Sequence, residues 1–184
     1  MGSIVNSLFI FGPLIVVNIW HGLLTYVFCV KNKSACSISE AALHSAKTLR
    51  IHRLMHMYSA VSFAIYVFVL MNTQNMQIPA IVLLFGAAFD ALQSVLLNRH
   101  TNHSSLALND LHQLSAWTMA VCYLVFAILY ANTMGVSSGV IICAVALLIL
   151  TFLINVLTKF RLFFVAQMIF FITVSTIIII SGSV

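Results

Sequence analysis

Charged side chains are scarce in this sequence of 184 residues, which contains eight lysines and arginines and three aspartates and glutamates. Only 6% of the residues are charged and 62% are hydrophobic, whereas a soluble globular domain has roughly 25% charged residues. The mean hydropathy is +1.13. This composition excludes a soluble globule and indicates an all-α, multi-pass integral membrane protein whose helices span the bilayer.

Acidic residues are fewer than basic ones, which gives the chain a formal net charge of +5. In a soluble protein this excess would suggest nucleic-acid binding, but here the basic residues flank apolar segments, where membrane topology explains them. We therefore exclude nucleic acid as a partner. The expected partner is the lipid bilayer, with other membrane subunits or further copies of the chain as additional candidates.

Several sequence motifs are also missing. The four cysteines (Cys29, Cys36, Cys122 and Cys143) form no C-x-x-C pair, so we expect small buried side chains without a disulfide. We find no H-E-x-x-H and no glycine-rich phosphate loop, which argues against zinc proteases and phosphate-binding enzymes of those types. The G-x-S-x-G spacing occurs once, at Gly135 to Gly139, but this segment lies at the predicted outer start of a span with no histidine on that side, which argues against a serine hydrolase. No cleavable signal pattern opens the chain, so we expect an uncleaved first span.

Long apolar runs are what the sequence has in abundance. A helix needs roughly 20 apolar residues to cross the hydrocarbon core, and six such runs follow one another with short connections. We predict one transmembrane bundle over residues 1–184, with spans at about 4–30, 51–71, 78–97, 111–131, 136–157 and 162–180. Pro13 is expected to break the first span, Pro79 to lie in the first turn of the third, and Asn109 and Asp110 to cap the fourth.

The basic residues predict the orientation of these spans. All eight lysines and arginines lie in the loops after the first, third and fifth spans or, for Arg53, at the edge of such a loop. By the positive-inside rule those loops are cytoplasmic, and both termini lie on the non-cytoplasmic side. Glycosylation sequons begin at Asn32 and Asn102, within loops predicted to be cytoplasmic, so their exposure to glycosylation stays open.

Two ionisable residues, His21 and Asp90, are predicted to lie deep in the membrane. Each is about nine residues from the basic end of its span, or roughly 13 Å at 1.5 Å per residue, so the two side chains could meet. Because an unpaired charge at this depth is costly, we predict a catalytic or ion-binding pair. The alternative is a helix-joining hydrogen bond to Asn18 or Gln93.

Histidines on two further spans predict a metal or haem site. His52 and His56 are four residues apart and project from one face of a helix, as a shared metal ion requires. His112 is expected at a comparable level, so we predict that His52, His56, His112 and Asp90 bind iron, zinc or copper, or that His56 and His112 hold haem b. Contact of His52 with lipid headgroups is the alternative. The other histidines and acids are expected to be solvated loop residues: Glu40, His44, His100, His103 and Asp110.

Three functions remain open from the sequence. The first is a haem or metal centre used for redox chemistry or for metal-assisted chemistry on a lipid-like substrate. The second is a small proton- or cation-coupled transporter or channel that uses His21 and Asp90, since histidine changes charge near neutral pH. The third is an accessory subunit of a membrane complex, with the uncharged fifth and sixth spans as its partner face.

Overall fold

The computed structural model describes residues 7–33, 37–97, 106–159 and 163–183, with the backbone alone at Ser7 and over 106–109. These ranges contain helices and no strand. The helices are α1 (Gly12–Leu24, extended by π-helical turns at Ser7–Phe11 and Thr25–Lys31), α2 (Ile38–Ala42), α3 (Ala46–Met71), α4 (Gln77–Leu96), α5 (Leu106–Thr133), α6 (Ser138–Leu157) and α7 (Phe163–Ser183). All except the short α2 are long and apolar enough to span a membrane. The predicted six-span, all-α, multi-pass architecture is therefore confirmed.

Two helices begin earlier than the apolar runs suggested. α3 starts at Ala46 rather than near residue 51, because Ser45 and Thr48 form a reciprocal capping box that satisfies its first N–H groups. α5 starts at Leu106, so Asn109 and Asp110 lie inside its first turns and the prediction that they cap the helix was wrong. Apolar runs mark only the part of a helix that lies in the hydrocarbon core, whereas hydrogen bonding decides where the helix begins.

Both prolines are accommodated within helices. Pro79 is in the first turn of α4, as predicted. Pro13 does not break α1, whose helical backbone continues on both sides of it. Pro13 lies at the start of the α-helical part of α1, just after the π-helical turn, where its missing N–H disturbs the hydrogen-bonding pattern least.

Five helices enclose the core. α3 packs on α4, α4 on α5, α5 on α7, and α1 contacts both α3 and α7, which closes the ring. The core holds apolar and aromatic side chains from all five helices, with Phe63, Leu83, Phe126 and Ile178 among its most buried members. α6 packs mainly on α7, and its buried residues are Thr151 and Asn155. Its mean hydropathy of 3.0 is the highest of the six spans, as expected for a helix facing lipid.

Several predictions concern residues outside the described ranges. These are His100 and His103, the sequon at 102–104, Ser34 of the sequon that begins at Asn32, and Cys36. Of the cysteines within the described ranges, Cys122 and Cys143 are free thiols. The positive-inside orientation remains a prediction from the loop charges.

Candidate metal centre

The candidate site lies between α1, α3 and α4, and the helical periods of those segments place its side chains. His52 and His56 are one turn apart on α3 and face inward together, with exposed fractions of 2% and 3%. His21 of α1 and Asp90 of α4 are buried beside them, at 1% and 2%. His21 lies ten residues before Lys31 and His56 ten residues after Ala46, so both lie about 15 Å from the helix ends at 1.5 Å per residue.

Three imidazoles form the centre of the site, and we call His21, His52 and His56 the histidine triad. One ligand nitrogen from each lies within 4.8 Å of the others. Nε2 of His21 is 3.1 Å from Nε2 of His56, and the rings of His52 and His56 have centroids 4.4 Å apart. The burial of His52 contradicts the alternative that it is an interfacial residue touching headgroups, because a buried ring cannot reach them.

The separation between His21 and His56 suits a common metal ion. In a tetrahedral site with metal–nitrogen bonds of about 2.0 Å, neighbouring ligand nitrogens are about 3.3 Å apart. The 3.1 Å between the two Nε2 atoms is close to that edge length. Without a metal ion the same distance is a hydrogen bond in which one Nε2–H donates to the other nitrogen, so the arrangement accommodates both forms.

Asp90 fixes the orientation of His56. Its Oδ1 lies 2.6 Å from Nδ1 of His56, a hydrogen bond that becomes an ion pair if the imidazole is protonated. When the Asp90 oxygen accepts from Nδ1–H, the Nε2 of His56 carries the lone pair that a metal ion requires. This is the carboxylate–histidine arrangement that orients ligands in many metal sites and raises their basicity.

Two further side chains hold the Asp90 carboxylate. The hydroxyl of Tyr123, on α5, donates to Oδ2 over 3.0 Å. The amide Nε2 of Gln93 donates to Oδ1 over 3.3 Å and lies 3.2 Å from Nδ1 of His56. The side chains of His56, Gln93 and Tyr123 thus converge on one buried carboxylate and fix its position.

Unpaired ring nitrogens remain on the triad. Within the described residues, Nδ1 of His21 and Nδ1 of His52 are buried and have no hydrogen-bond partner. A buried polar atom without a partner costs roughly 1–3 kcal/mol, so native structures rarely leave such atoms unsatisfied. The donor set of the triad, three imidazoles, fits a transition-metal ion such as zinc, copper or iron.

His112 lies next to the triad and does not belong to it. Its Nδ1–H donates to the backbone carbonyl of Gln93 over 2.9 Å, which leaves the lone pair on Nε2. That tautomer is the one a metal ligand needs, and the role of His112 as a ligand stays a prediction. Asp90 likewise contacts the triad through His56 and is not itself one of its three grouped ligands.

Haem receives no support from this geometry. A haem held by His56 and His112 needs a porphyrin-wide slot between the two rings. Both rings instead contact Gln93, one through its side-chain amide and the other through its backbone carbonyl. A porphyrin would have to displace α4, whereas a single metal ion requires no such displacement.

The triad is covered on the side where α1 ends and α3 begins, which we call the loop face. Leu24 of α1 lies one turn from His21 toward the loop face, and Leu49 of α3 lies one turn from His52 in the same direction. The short helix α2 packs against these two leucines. The Ile38 N–H of α2 donates to Oε1 of Gln167 on α7 over 2.9 Å. We call this group the loop-face cluster, and its buried members are Leu24, Cys29, Ile38, Ala41, Ala42, Leu49 and Leu97.

The sequence did not identify Tyr123 as a site residue. It lies within a long apolar run, where an aromatic residue suggests core packing. The available signal was its hydroxyl, because a buried tyrosine usually finds a hydrogen-bond partner. Gln93 was named in the sequence analysis as an alternative hydrogen-bond partner, and the structure brings its side chain together with that of Asp90 on His56.

Comparison with known protein families, with curated proteins and with solved structures gave no match. The fold and the site together define a membrane protein with six candidate spanning helices and a buried histidine triad that could hold a metal ion.

Proposed function

We propose that this protein is a membrane metalloprotein that binds one transition-metal ion through His21, His52 and His56. The observation that carries the proposal is the convergence of three buried imidazoles from two helices within 4.8 Å of one another. Buried histidines in a membrane span are costly and need a partner, and a shared metal ion satisfies all three rings at once.

The three imidazole ligands limit which metal ions the site would bind. Imidazole nitrogens suit zinc, copper, nickel and iron, whereas magnesium and calcium prefer oxygen ligands. Three histidines with a fourth position free is the ligand set of catalytic zinc sites such as that of carbonic anhydrase. Zinc would supply a Lewis acid for metal-assisted chemistry, and iron or copper would supply redox chemistry.

The chain's own residues have separate parts in this proposal. The triad binds the ion, Asp90 orients His56, and Tyr123 and Gln93 hold the Asp90 carboxylate in place. The loop-face cluster excludes water from one side of the site, which strengthens electrostatic interactions within it.

Metal analysis tests the proposal. The protein is purified in mild detergent without chelators, dialysed against zinc, and measured for bound metal together with the variants His56→Ala and His44→Ala. We expect close to one ion per chain in the wild type and in His44→Ala, since His44 is exposed on the loop between α2 and α3, and little in His56→Ala. Equal metal content in all three proteins would refute the site.

A second candidate function is proton- or cation-coupled transport. The observation that favours it is a continuous hydrogen-bonded chain of titratable groups, from His21 through His56 and Asp90 to Tyr123. Such a chain can pass a proton between neighbouring groups without a metal ion. In metal-free proteoliposomes with a pH gradient, Asp90→Asn should abolish proton flux, and undiminished flux would exclude this role.

A further inference from the structure

Arg53 lies between His52 and His56 in the sequence, and its guanidinium group reaches across to α4. Its Nε donates to the carbonyl of Ser94 over 3.2 Å. Its Nη2 donates to the carbonyls of Val95, at 3.4 Å, and of Leu97. The side chain thus binds three backbone carbonyls at the C-terminal end of one helix.

These carbonyls are the acceptors that a helix leaves unsatisfied. The last four C=O groups of an α-helix have no intrahelical N–H partner, and together they form the negative end of the helix dipole. A guanidinium group has several donors in a rigid plane and can bind them together, which the single ammonium of lysine does less well. From the opposite side, His112 of α5 donates to the Gln93 carbonyl one residue earlier.

The same stretch of α4 carries the residues that hold His56. Ser94 lies one turn after Asp90, and on the antiparallel α3 Arg53 lies one turn before His56. The Arg53–Ser94 contact and the His56–Asp90 contact are therefore successive steps of one antiparallel helix pairing. A slip of one turn moves α4 by about 5.4 Å along α3 and takes the Asp90 carboxylate out of reach of the imidazole.

We infer that Arg53 is a positioning residue of the histidine triad. By binding the end of α4 it sets the register in which Asp90 meets His56, and through Asp90 it fixes the tautomer of His56. The effect of Arg53 on metal binding rests on the proposed function. Its effect on the helix register and on the His56 tautomer concerns the metal-free protein and can be tested without a metal ion. In the sequence analysis Arg53 is one of the basic residues that predict the orientation of the spans. The contacts with α4 suggest a second role for it.

The test measures the tautomer of His56 in metal-free protein by ¹⁵N NMR of labelled histidine. The variant is Arg53→Lys, which keeps the charge that orients the membrane helices. Its matched control is Arg50→Lys, an exposed position one turn earlier on the same helix. We expect the Nδ1–H tautomer in the wild type and in Arg50→Lys, and a mixture of tautomers in Arg53→Lys. An unchanged His56 spectrum in Arg53→Lys would overturn the inference.

A measurement on the wild type covers the case in which Arg53→Lys does not fold. Solid-state NMR dephasing between ¹⁵Nε of Arg53 and the ¹³C carbonyl of Ser94 should show strong coupling, and its absence would refute the contact. Metal titration then separates this inference from the proposed function. We expect zinc affinity to fall in Arg53→Lys, and to fall no further when Arg53→Lys is added to Asp90→Asn. If the wild type binds no metal, the proposed function fails, and the tautomer measurement still decides the role of Arg53.

Discussion

Asp90 and His56 form the shortest polar contact between α3 and α4 for which both groups are side chains, with Oδ1 of the carboxylate 2.6 Å from Nδ1 of the imidazole. Both groups are buried, so little solvent screens the interaction. The contact joins the helix that carries two triad histidines to the helix that carries the only acid within a predicted span. It turns the lone pair of His56 toward His21, where the two Nε2 atoms meet.

Replacing Asp90 with asparagine should weaken metal binding without removing a ligand. The amide cannot supply the negative charge that stabilises the metal-bound imidazole, and changes of this kind typically cost about 10–100-fold in affinity. Competition titration with a zinc indicator measures the effect. Asp110→Asn is the matched control, since Asp110 is exposed near the start of α5. Equal affinities in the two variants would show that Asp90 does not act on the site.

Replacing His52 with alanine tests whether this buried histidine is a metal ligand. His52→Ala should lower the zinc affinity of the protein, because the change leaves two imidazoles from the triad. His44→Ala removes an exposed histidine eight positions earlier and should leave the affinity unchanged. Isothermal titration in detergent measures both. If His52→Ala binds zinc as tightly as the wild type, His52 is not a ligand.

Gly86 should tolerate no side chain, because α5 packs directly on it. A Cβ built at Gly86 would lie 2.7 Å from the ring of Tyr123 and 3.3 Å from Cβ of Cys122. Gly86→Ala should therefore displace Tyr123 from Asp90 and destabilise the protein by about 1–3 kcal/mol, a typical cost of overpacking. Gly22→Ala is the control, since its nearest neighbour would be Cε of Met168 at 3.9 Å. Thermal unfolding in detergent should separate the two, and equal melting temperatures would contradict the packing.

Gln167 should hold the short helix α2 beneath the triad. Gln167→Ala removes the acceptor of the Ile38 N–H, and a single hydrogen bond contributes about 0.5–1.5 kcal/mol. Amide hydrogen exchange at Ile38 should therefore accelerate roughly two- to tenfold, while exchange within the core of α3 stays the same. Unaltered exchange at Ile38 would show that this hydrogen bond does not hold α2 in place.

The sequence predicts the six spans well, because a run of about 20 apolar residues has few other stable structures. It also predicts that His52 and His56 share a face, since the helical period places residues four apart on one stripe. The similar membrane depth of His21 and Asp90 was predicted by counting residues from the basic end of each span. These predictions depend on one helix at a time.

The remaining features depend on which helices are neighbours, and a single sequence does not contain that information in a readable form. His112 was expected at the level of the other histidines, and only the packing of α5 on α4 shows that its Nδ1 binds the Gln93 carbonyl. The meeting of His21 with His56 requires α1 to lie against α3. Arg53 has the pattern of a topogenic cation, and only the pairing of α3 with α4 reveals its contacts with the end of α4.

X-ray absorption spectroscopy at the zinc edge, on protein loaded with one equivalent of zinc, tests the central claim most directly. We predict nitrogen ligands at about 2.0 Å with the multiple-scattering pattern of at least three imidazoles, and loss of that pattern in the variant that combines His21→Ala, His52→Ala and His56→Ala. A coordination shell dominated by oxygen would contradict the claim. So would an imidazole signal that persists in the triple variant, or a wild-type protein that takes up no zinc.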